Sequence, residues 1–408
     1  MEKVINNLMD HEQLRANGIN MVASENRTSP LVRLMMASDL AHRYSAPLYG
    51  GGFNIRRIME ICKKSLQKLY NAEYVLITPL SGTLAVLSAV LGLTKLRAII
   101  AKVSGDDGGF PLRLRAHDRV ESKLAFNHDT RTIDVILSKN SLLKKPPDMI
   151  MLGQSVFTHP HPVQEFRNII DDHLGNIPLV FDGSHVLGLI AGNQFQDPLR
   201  EGADILLGST HKSFFGPQGG IIVSNNKDFF RKVQKFGGFL QSDHILIDNM
   251  HPHRVGALAI AALELLEFGE DYAAQVVKNS KTLAERLNHD GIPVKGSSVG
   301  FTKSHQVLLD YPPQPALGIK NKLESLGIFT DIILRLGTSE VTRLGMKEPE
   351  MKQLADIISD AIQENLQYLK LVKKIQDLNQ SFQTVQYTFD LTQYTSLRDL
   401  IKNYFPIC

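Results

Sequence analysis

Short apolar runs recur along the chain with helix-spaced stretches between them: YVLIT (74–78), RAIIAKV (97–103), DMIMLG (148–153), IPLVFD (177–182), ADILLG (203–208) and GGIIVS (219–224). Runs with so little polar alternation predict strands buried on both faces, and their alternation with helices predicts an α/β fold with a mostly parallel sheet. The uncharged stretch from Tyr74 to Thr94 approaches the length of a membrane span. Pro79 and Ser81-Gly82-Thr83 divide it into a strand and a helix instead. Beyond residue 250, Val255, Leu258, Ala259, Ala262, Leu263 and Leu266 keep helical spacing, which predicts a connecting helix over 251–289. Strand candidates at 306–310 and 331–337 and a long helix from Glu348 then predict a smaller α+β unit. The expected division is an N-terminal arm (1–20), a large domain (21–250), the connecting helix (251–289) and a small C-terminal domain (290–408).

The 408 residues leave room for two or three domains of roughly 150 residues each. Apolar residues at 43% and charged residues at 21% are ordinary for a folded globular protein. The net charge of +3 comes without a long basic run, so no nucleic-acid partner is expected. Two cysteines, Cys62 and Cys408, cannot build a disulfide framework. The opening MEKVINNLMDHEQLRANG is too polar for a signal peptide, and a cytoplasmic protein with no membrane partner is expected. His159, His161, His251 and His253 form two His-x-His pairs, but each pair encloses a proline and has no cysteine nearby. They read as loop histidines, and no metal is expected.

In parallel sheets ligands bind beyond the carboxyl ends of the strands, which directs attention to Ser81, Ser155, Asp182 and Lys212. Lys212 lies in STHKSFFGPQGG, after a buried run. Desolvation there would lower its pKa and suit it to Schiff-base chemistry, whereas a lone lysine is ordinarily a surface residue. Asp182 ends IPLVFD, with His185 three residues on. It reads either as a helix cap or as the carboxylate that keeps the pyridine nitrogen of pyridoxal phosphate protonated, and Lys212 at this spacing favours the cofactor. Ser81-Gly82-Thr83 opens an apolar helix, where free N–H groups suit either a capping hydroxyl or a phosphate. Arg335, in a strand-like run, suits a substrate carboxylate or an internal ion pair.

Taken together, VASENRTSP (22–30), YGGG (49–52), PLSGTLA (79–85), FDGSHVLGLIAG (181–192), STHKSFFGPQGG (209–220) and LRLGTSEVTRLGMKE (334–348) resemble the serine hydroxymethyltransferases. These are pyridoxal phosphate enzymes that move a one-carbon unit between serine and glycine. The resemblance implies the aspartate aminotransferase-like fold, with a seven-stranded, mostly parallel sheet. It also implies that Lys212 is the Schiff-base lysine, that Asp182 pairs with the pyridine nitrogen, and that His185 and Ser155 lie near the ring hydroxyl. Ser81, Gly82, Thr83 and His211 match the phosphate cup, Ser24 and Arg335 the carboxylate-holding groups, and Tyr44 and Tyr49 two active-site tyrosines. Because this family builds each site from two subunits, Tyr44 and Gly237-Gly238 imply a homodimer.

The sequence departs from the family at three places, two of them tied to folate. Ala46 in Tyr44-Ser45-Ala46-Pro47 stands where the family has a proton-handling glutamate, and alanine cannot move a proton. Asp106-Asp107-Gly108-Gly109-Phe110 replaces a motif bearing the histidine that stacks on the cofactor, which leaves Phe110 as a stand-in. The long loop before the carboxylate-binding arginine is absent from Gly327-Ile328-Phe329-Thr330-Asp331. The expectation is therefore a pyridoxal phosphate enzyme that splits a β-hydroxy amino acid reversibly into glycine and an aldehyde, with tetrahydrofolate dispensable. The alternatives are a true hydroxymethyltransferase with Glu25 or His128 as its acid-base group, a transaminase or racemase, and an inactive relative serving as a binding subunit.

Overall fold

The computed structural model describes residues 1–44, 49–109, 118–239 and 246–404, without the side chains of Asn403 and Tyr404. Seven strands among the described residues form one sheet in the spatial order Tyr74–Leu76, Gly220–Ser224, Ile205–Ser209, Leu179–Asp182, Met149–Leu152, Ile99–Val103, Val120–Leu124. All neighbours run parallel except Gly220–Ser224, which is antiparallel to both of its partners.

Alternate residues of each strand enter different cores, as the period of two requires. Ile150, Leu152, Leu179, Phe181 and Leu206 join one cluster. Met149, Met151, Val180, Ile205 and Leu207 join the other. The helices Gly82–Leu93 and Lys227–Gly237 cover the second face through Ala85, Val86, Phe229 and Val233. Phe53–Tyr70 and the first part of Pro252–His289 cover the first. The last turns of Pro252–His289 pass into a third core, where Leu283, Ala284 and Leu287 meet Leu334, Leu336 and Ile358.

Two parts of the sequence reading change. The edge strand Val120–Leu124 was not among the apolar runs, because VESKL is mostly polar and Val120 is 41% exposed. Polar edges of this kind protect a sheet from pairing with other chains. The run 331–337 is a strand only over Arg335–Gly337. Asp331–Leu334 is a turn with Leu334 at φ +52°, so Ile332 and Ile333 point outward, 64% and 49% exposed. The helices Tyr368–Gln380 and Thr395–Tyr404 also follow where the reading stopped at one long helix.

Beneath the Lys212 loop lies a buried ion pair. Arg343 Nη2 is 2.6 Å from Glu264 Oε2, both side chains have no exposure, and the guanidinium carbon lies 3.7 Å from the Phe215 ring centroid. Thr388 Oγ1 donates to Glu264 Oε1 at 2.6 Å, and Arg343 also donates to the Tyr387 carbonyl. Removing one partner leaves an uncompensated buried charge. Glu264→Leu is expected to cost about 3–5 kcal/mol of stability, measured as a fall in the midpoint of denaturant unfolding. Glu264→Leu combined with Arg343→Met should recover much of the loss.

Candidate functional site

The site assembles where the strands end. Asp182 closes its strand and Lys212 lies three residues beyond Ser209. Lys212 is folded back by its own carbonyl, which accepts from Phe215 N at 3.1 Å and from Asn26 Nδ2 at 2.8 Å. Asn26 Nδ2 also donates to Tyr272 Oη at 2.9 Å, and the Tyr272 hydroxyl donates to the Ser339 carbonyl at 3.3 Å. This chain of bonds holds the amine inward, with Nζ 3.3 Å from His185 Nε2. Burial pushes the Lys212 ammonium down to about 8, against the opposing pull of Asp182 and with help from Arg335.

Asp182 is 6% exposed. Its Oδ1 accepts from Ser184 N at 3.0 Å and Ser184 Oγ at 2.6 Å, so it closes a turn rather than capping a helix. Burial raises its carboxyl despite those bonds and the Lys212 charge. Both groups therefore shift toward neutrality, because burial outweighs their attraction. Among the described residues no cation is in contact with Asp182, and its Oδ2 has no hydrogen-bond partner. A protonated ring nitrogen is a partner that such a carboxylate oxygen could hold.

The phosphate end passes the same test. Ser81 Oγ accepts from Leu84 N at 3.1 Å and the Ser81 carbonyl from Ala85 N at 3.1 Å. The Gly82 and Thr83 N–H groups are left at the positive end of the helix. A Cβ on Gly82 would lie 2.2 Å from Ser209 Oγ and 3.2 Å from Ser184 Oγ, so only glycine allows the helix start this close to the strand ends. His211 Nδ1 is buried without a partner, and burial lowers its ring to about 4. Capping and anion binding are thus compatible at this helix start.

Arg335 is 9% exposed. Its Nε and Nη2 both lie 3.0 Å from Asp331 Oδ2, and Nη1 donates to the Ser155 carbonyl. The guanidinium has five N–H groups, and two of them donate in these hydrogen bonds, so donors remain for a carboxylate. The internal ion pair and the carboxylate grip are therefore not exclusive. Ser24 follows a segment lying against this strand, since Gly337 N donates to the Met21 carbonyl at 2.8 Å and Val22 bridges Leu336. Ser24 and His211 share a cleft of about 750 Å³ with Glu25, whose carboxylate holds Arg15 at 2.7 Å and Asn20 at 3.1 Å.

Gln306 was not anticipated, although a glutamine at the head of the apolar run QVLLD is a polar group forced inside. It is fully buried. Its Oε1 accepts from Phe157 N at 2.7 Å and its Nε2 donates to the Ser155 carbonyl at 3.1 Å. These two contacts fix which end of the amide is nitrogen. The same Nε2 lies 3.0 Å from His185 Nδ1, so Nδ1 must accept and the ring proton sits on Nε2, facing Lys212. Burial, then the Lys212 and Arg335 charges, hold His185 well below its ordinary pKa. Neutral His185 should show an unprotonated Nδ1 in ¹⁵N correlation spectra between pH 6 and 8. Gln306→Leu should produce a mixture of tautomers.

Lys212, His185, Ser155 and Arg335 are thus joined by direct or one-step contacts, Asp182 is near enough for its charge to act on Lys212, and Ser81–Thr83 and His211 lie beside them. Tyr44 and Tyr49 are not brought in. They are 43% and 51% exposed and pack on each other at 5.1 Å. Gly237 and Gly238 end a helix whose Gly237 carbonyl accepts from Thr78 Oγ1. His128 pairs with Asp107 at 3.1 Å, facing a different cavity. Ala46 and Phe110 lie outside the described residues. The sequence reading gave no site role to Asn26, Tyr272, Asp331 or His305, whose ring stacks on His185 at 5.7 Å.

A family model described as serine hydroxymethyltransferase matches residues 1–358. The chain belongs to the serine hydroxymethyltransferase family. It is 36% identical to the serine hydroxymethyltransferase of Archaeoglobus fulgidus, with 96% of this chain and 93% of the relative covered. It is 35% identical to that of Korarchaeum cryptofilum, with 95% and 96% covered. Among solved structures it is similar to an L-threonine transaldolase from Pseudomonas fluorescens in the internal aldimine state. There the TM-score is 0.89 at 28% identity, over 99% of this chain and 97% of that one. The chain is accordingly a pyridoxal phosphate-dependent enzyme of the serine hydroxymethyltransferase type, a transferase or aldolase. No helix among the described residues is long and apolar enough to cross a membrane.

The Lys212 value bears on how this family member takes up its cofactor. An amine that titrates near 8 is mostly protonated at pH 6 and mostly free at pH 9. Covalent capture of pyridoxal phosphate by the apoprotein is therefore expected to accelerate through about pH 8, below the titration of an ordinary lysine. Stopped-flow absorbance measures this directly.

Proposed function

We propose that the chain catalyses reversible, folate-independent cleavage of a β-hydroxy amino acid into glycine and an aldehyde. The observation that carries this reading is the connection between the strands Ile328–Phe329 and Arg335–Gly337. It is a tight turn whose Asp331 is bound to Arg335, and it leaves no loop before the arginine to hold a pterin. The likeness to a threonine transaldolase supports aldol-type chemistry.

In this reading Lys212, Asp182, the Gly82 and Thr83 amides and His211 hold pyridoxal phosphate. When bound, that group draws electrons from the substrate Cα. Arg335 and Ser24 would fix the substrate carboxylate and so select which bond to Cα is broken. His185 presents an N–H at Nε2, and a basic group or water takes the proton of the β-hydroxyl as the aldehyde leaves. A second copy of the chain would supply Tyr44 and Gly237-Gly238 to each site. The exposure of Tyr44 and Tyr49 supports that homodimer, and sedimentation of the holoenzyme tests it.

The test is glycine and aldehyde formation from threonine and phenylserine at matched enzyme concentration, with and without tetrahydrofolate. Equal rates are expected. Strong dependence on the carrier with serine as substrate would favour hydroxymethyl transfer, the activity for which the archaeal relatives are named.

A further inference from the structure

A second cavity, of about 670 Å³, opens on the far side of the Ser155–Arg335 contact. Its walls are the Gly105–Gly108 turn, the start of the helix Pro313–Leu326 and the turn that carries Ile332 and Ile333. It adjoins the site described above through its wall. Gly108, in its wall, accepts through its carbonyl from Ser155 N at 2.8 Å and from Val156 N at 3.1 Å, and the Ser155 carbonyl holds Arg335. Leu309, Leu317, Ile332 and Ile333 give it an apolar body.

Arg131, 6% exposed, also lines the cavity. Its Nε is buried without a hydrogen-bond partner, and the guanidinium forms no hydrogen bond or ion pair with any described residue. Its one contact of this kind is the Phe126 ring, whose centroid is 5.3 Å away. The neighbouring carboxylates have contacts of their own: Asp107 with the His128 ring at 3.1 Å, Asp310 with Lys295 at 3.2 Å and Asp106 with Lys123 at 3.4 Å. Asp310 and Asp107 act on Arg131 from a distance and only partly offset its burial. A guanidinium stays charged in proteins, and a buried charge without a partner is costly. A cation with a buried, unpartnered Nε in the wall of a cavity that Leu309, Leu317, Ile332 and Ile333 also line describes a receptor for an amphipathic anion.

We propose that this cavity receives the far end of the aldehyde partner, and that this end carries a carboxylate or phosphate gripped by Arg131, with an apolar body over Ile332 and Ile333. The assignment rests on the aldol reading and adds its substrate class. The cation at Arg335 holds the amino-acid carboxylate, and the cation at Arg131 holds the second substrate.

The test uses the holoenzyme in two arms. In the first, 4-methylbenzoate and 4-methylphenyl phosphate, which cannot react, are titrated by calorimetry. At least one should bind, which also separates carboxylate from phosphate preference. Arg131→Leu should lose that binding, and Arg131→Lys should retain part of it. In the second, the kcat/KM ratio of 4-formylbenzoate to benzaldehyde, with glycine as co-substrate, should be about tenfold to a hundredfold above one and fall toward one in Arg131→Leu. Unchanged cofactor absorbance verifies that each variant is folded. Binding that is absent, or indifferent to Arg131, overturns the proposal. Arg131-dependent binding with no preference for the charged aldehyde overturns the substrate assignment. Arg131-dependent binding with no turnover of any aldehyde shows instead that the aldol reading has failed.

Discussion

Lys212→Gln is expected to lose the covalent cofactor and at least about a thousandfold of turnover, since a nucleophile that forms the covalent link has no substitute in an amide. Borohydride reduction of the parent holoenzyme, followed by digestion, should place the pyridoxyl group on the peptide containing STHK. The choice of this lysine follows from how it is held. Lys102 is also buried, at 4% exposure, and burial lowers its ammonium as well. But Lys102 lies within a strand and its amine is occupied, 3.4 Å from Glu121 and 2.9 Å from the Val103 carbonyl. Among the described residues Lys212 makes no ion pair, and its polar contact is the neutral His185 ring. Its amine is therefore desolvated without being neutralised by a carboxylate, the combination that frees a lone pair near pH 8. A label on Lys102, or none after reconstitution, would overturn the assignment.

The parts of this site that were legible from sequence share one property: each lies within a few residues of the end of an apolar run. A fully buried strand announces itself by composition alone, and in a parallel sheet its carboxyl end is where ligands meet protein. Asp182, Ser155, Ser81 and Lys212 were found that way. The strand Val120–Leu124 was not, because one edge of it meets solvent. The turn Asp331–Leu334 was misread because Ile332 and Ile333 look like strand interior, whereas Asp331 folds back on Arg335 and exposes them. Gln306, Asn26 and Tyr272 were illegible for a different reason. Each acts on a residue far away in sequence, and nothing local in QVLLD or SENR states which carbonyl or ring it will meet. Ala46, on which one of the two folate departures rests, lies outside the described residues, as does Phe110, so the structural argument against folate comes from the turn before Arg335.

Asp182→Asn is expected to spare the fold and slow exchange of the α-proton of glycine by at least about a hundredfold. Both expectations follow from the two oxygens of one carboxylate. Oδ1 is committed to the Ser184 N–H and hydroxyl, bonds that an asparagine Oδ1 accepts equally well, so the turn beyond the strand should survive. Oδ2 is the atom without a partner, and in asparagine it becomes an NH₂ group. Where the carboxylate would hold a proton on the ring nitrogen, the amide presents a donor to it and favours the unprotonated form. Lys212 is unaffected at its own position, so covalent binding of the cofactor should persist, and the lesion should show in the exchange rate rather than in cofactor content. Asp182→Glu, which keeps the charge but displaces it, should fall between the two. Proton exchange followed by NMR in deuterium oxide reads all three proteins under one condition. An asparagine variant that exchanges as fast as the parent would mean that Asp182 serves only its turn, and that whatever holds the ring nitrogen must be sought elsewhere.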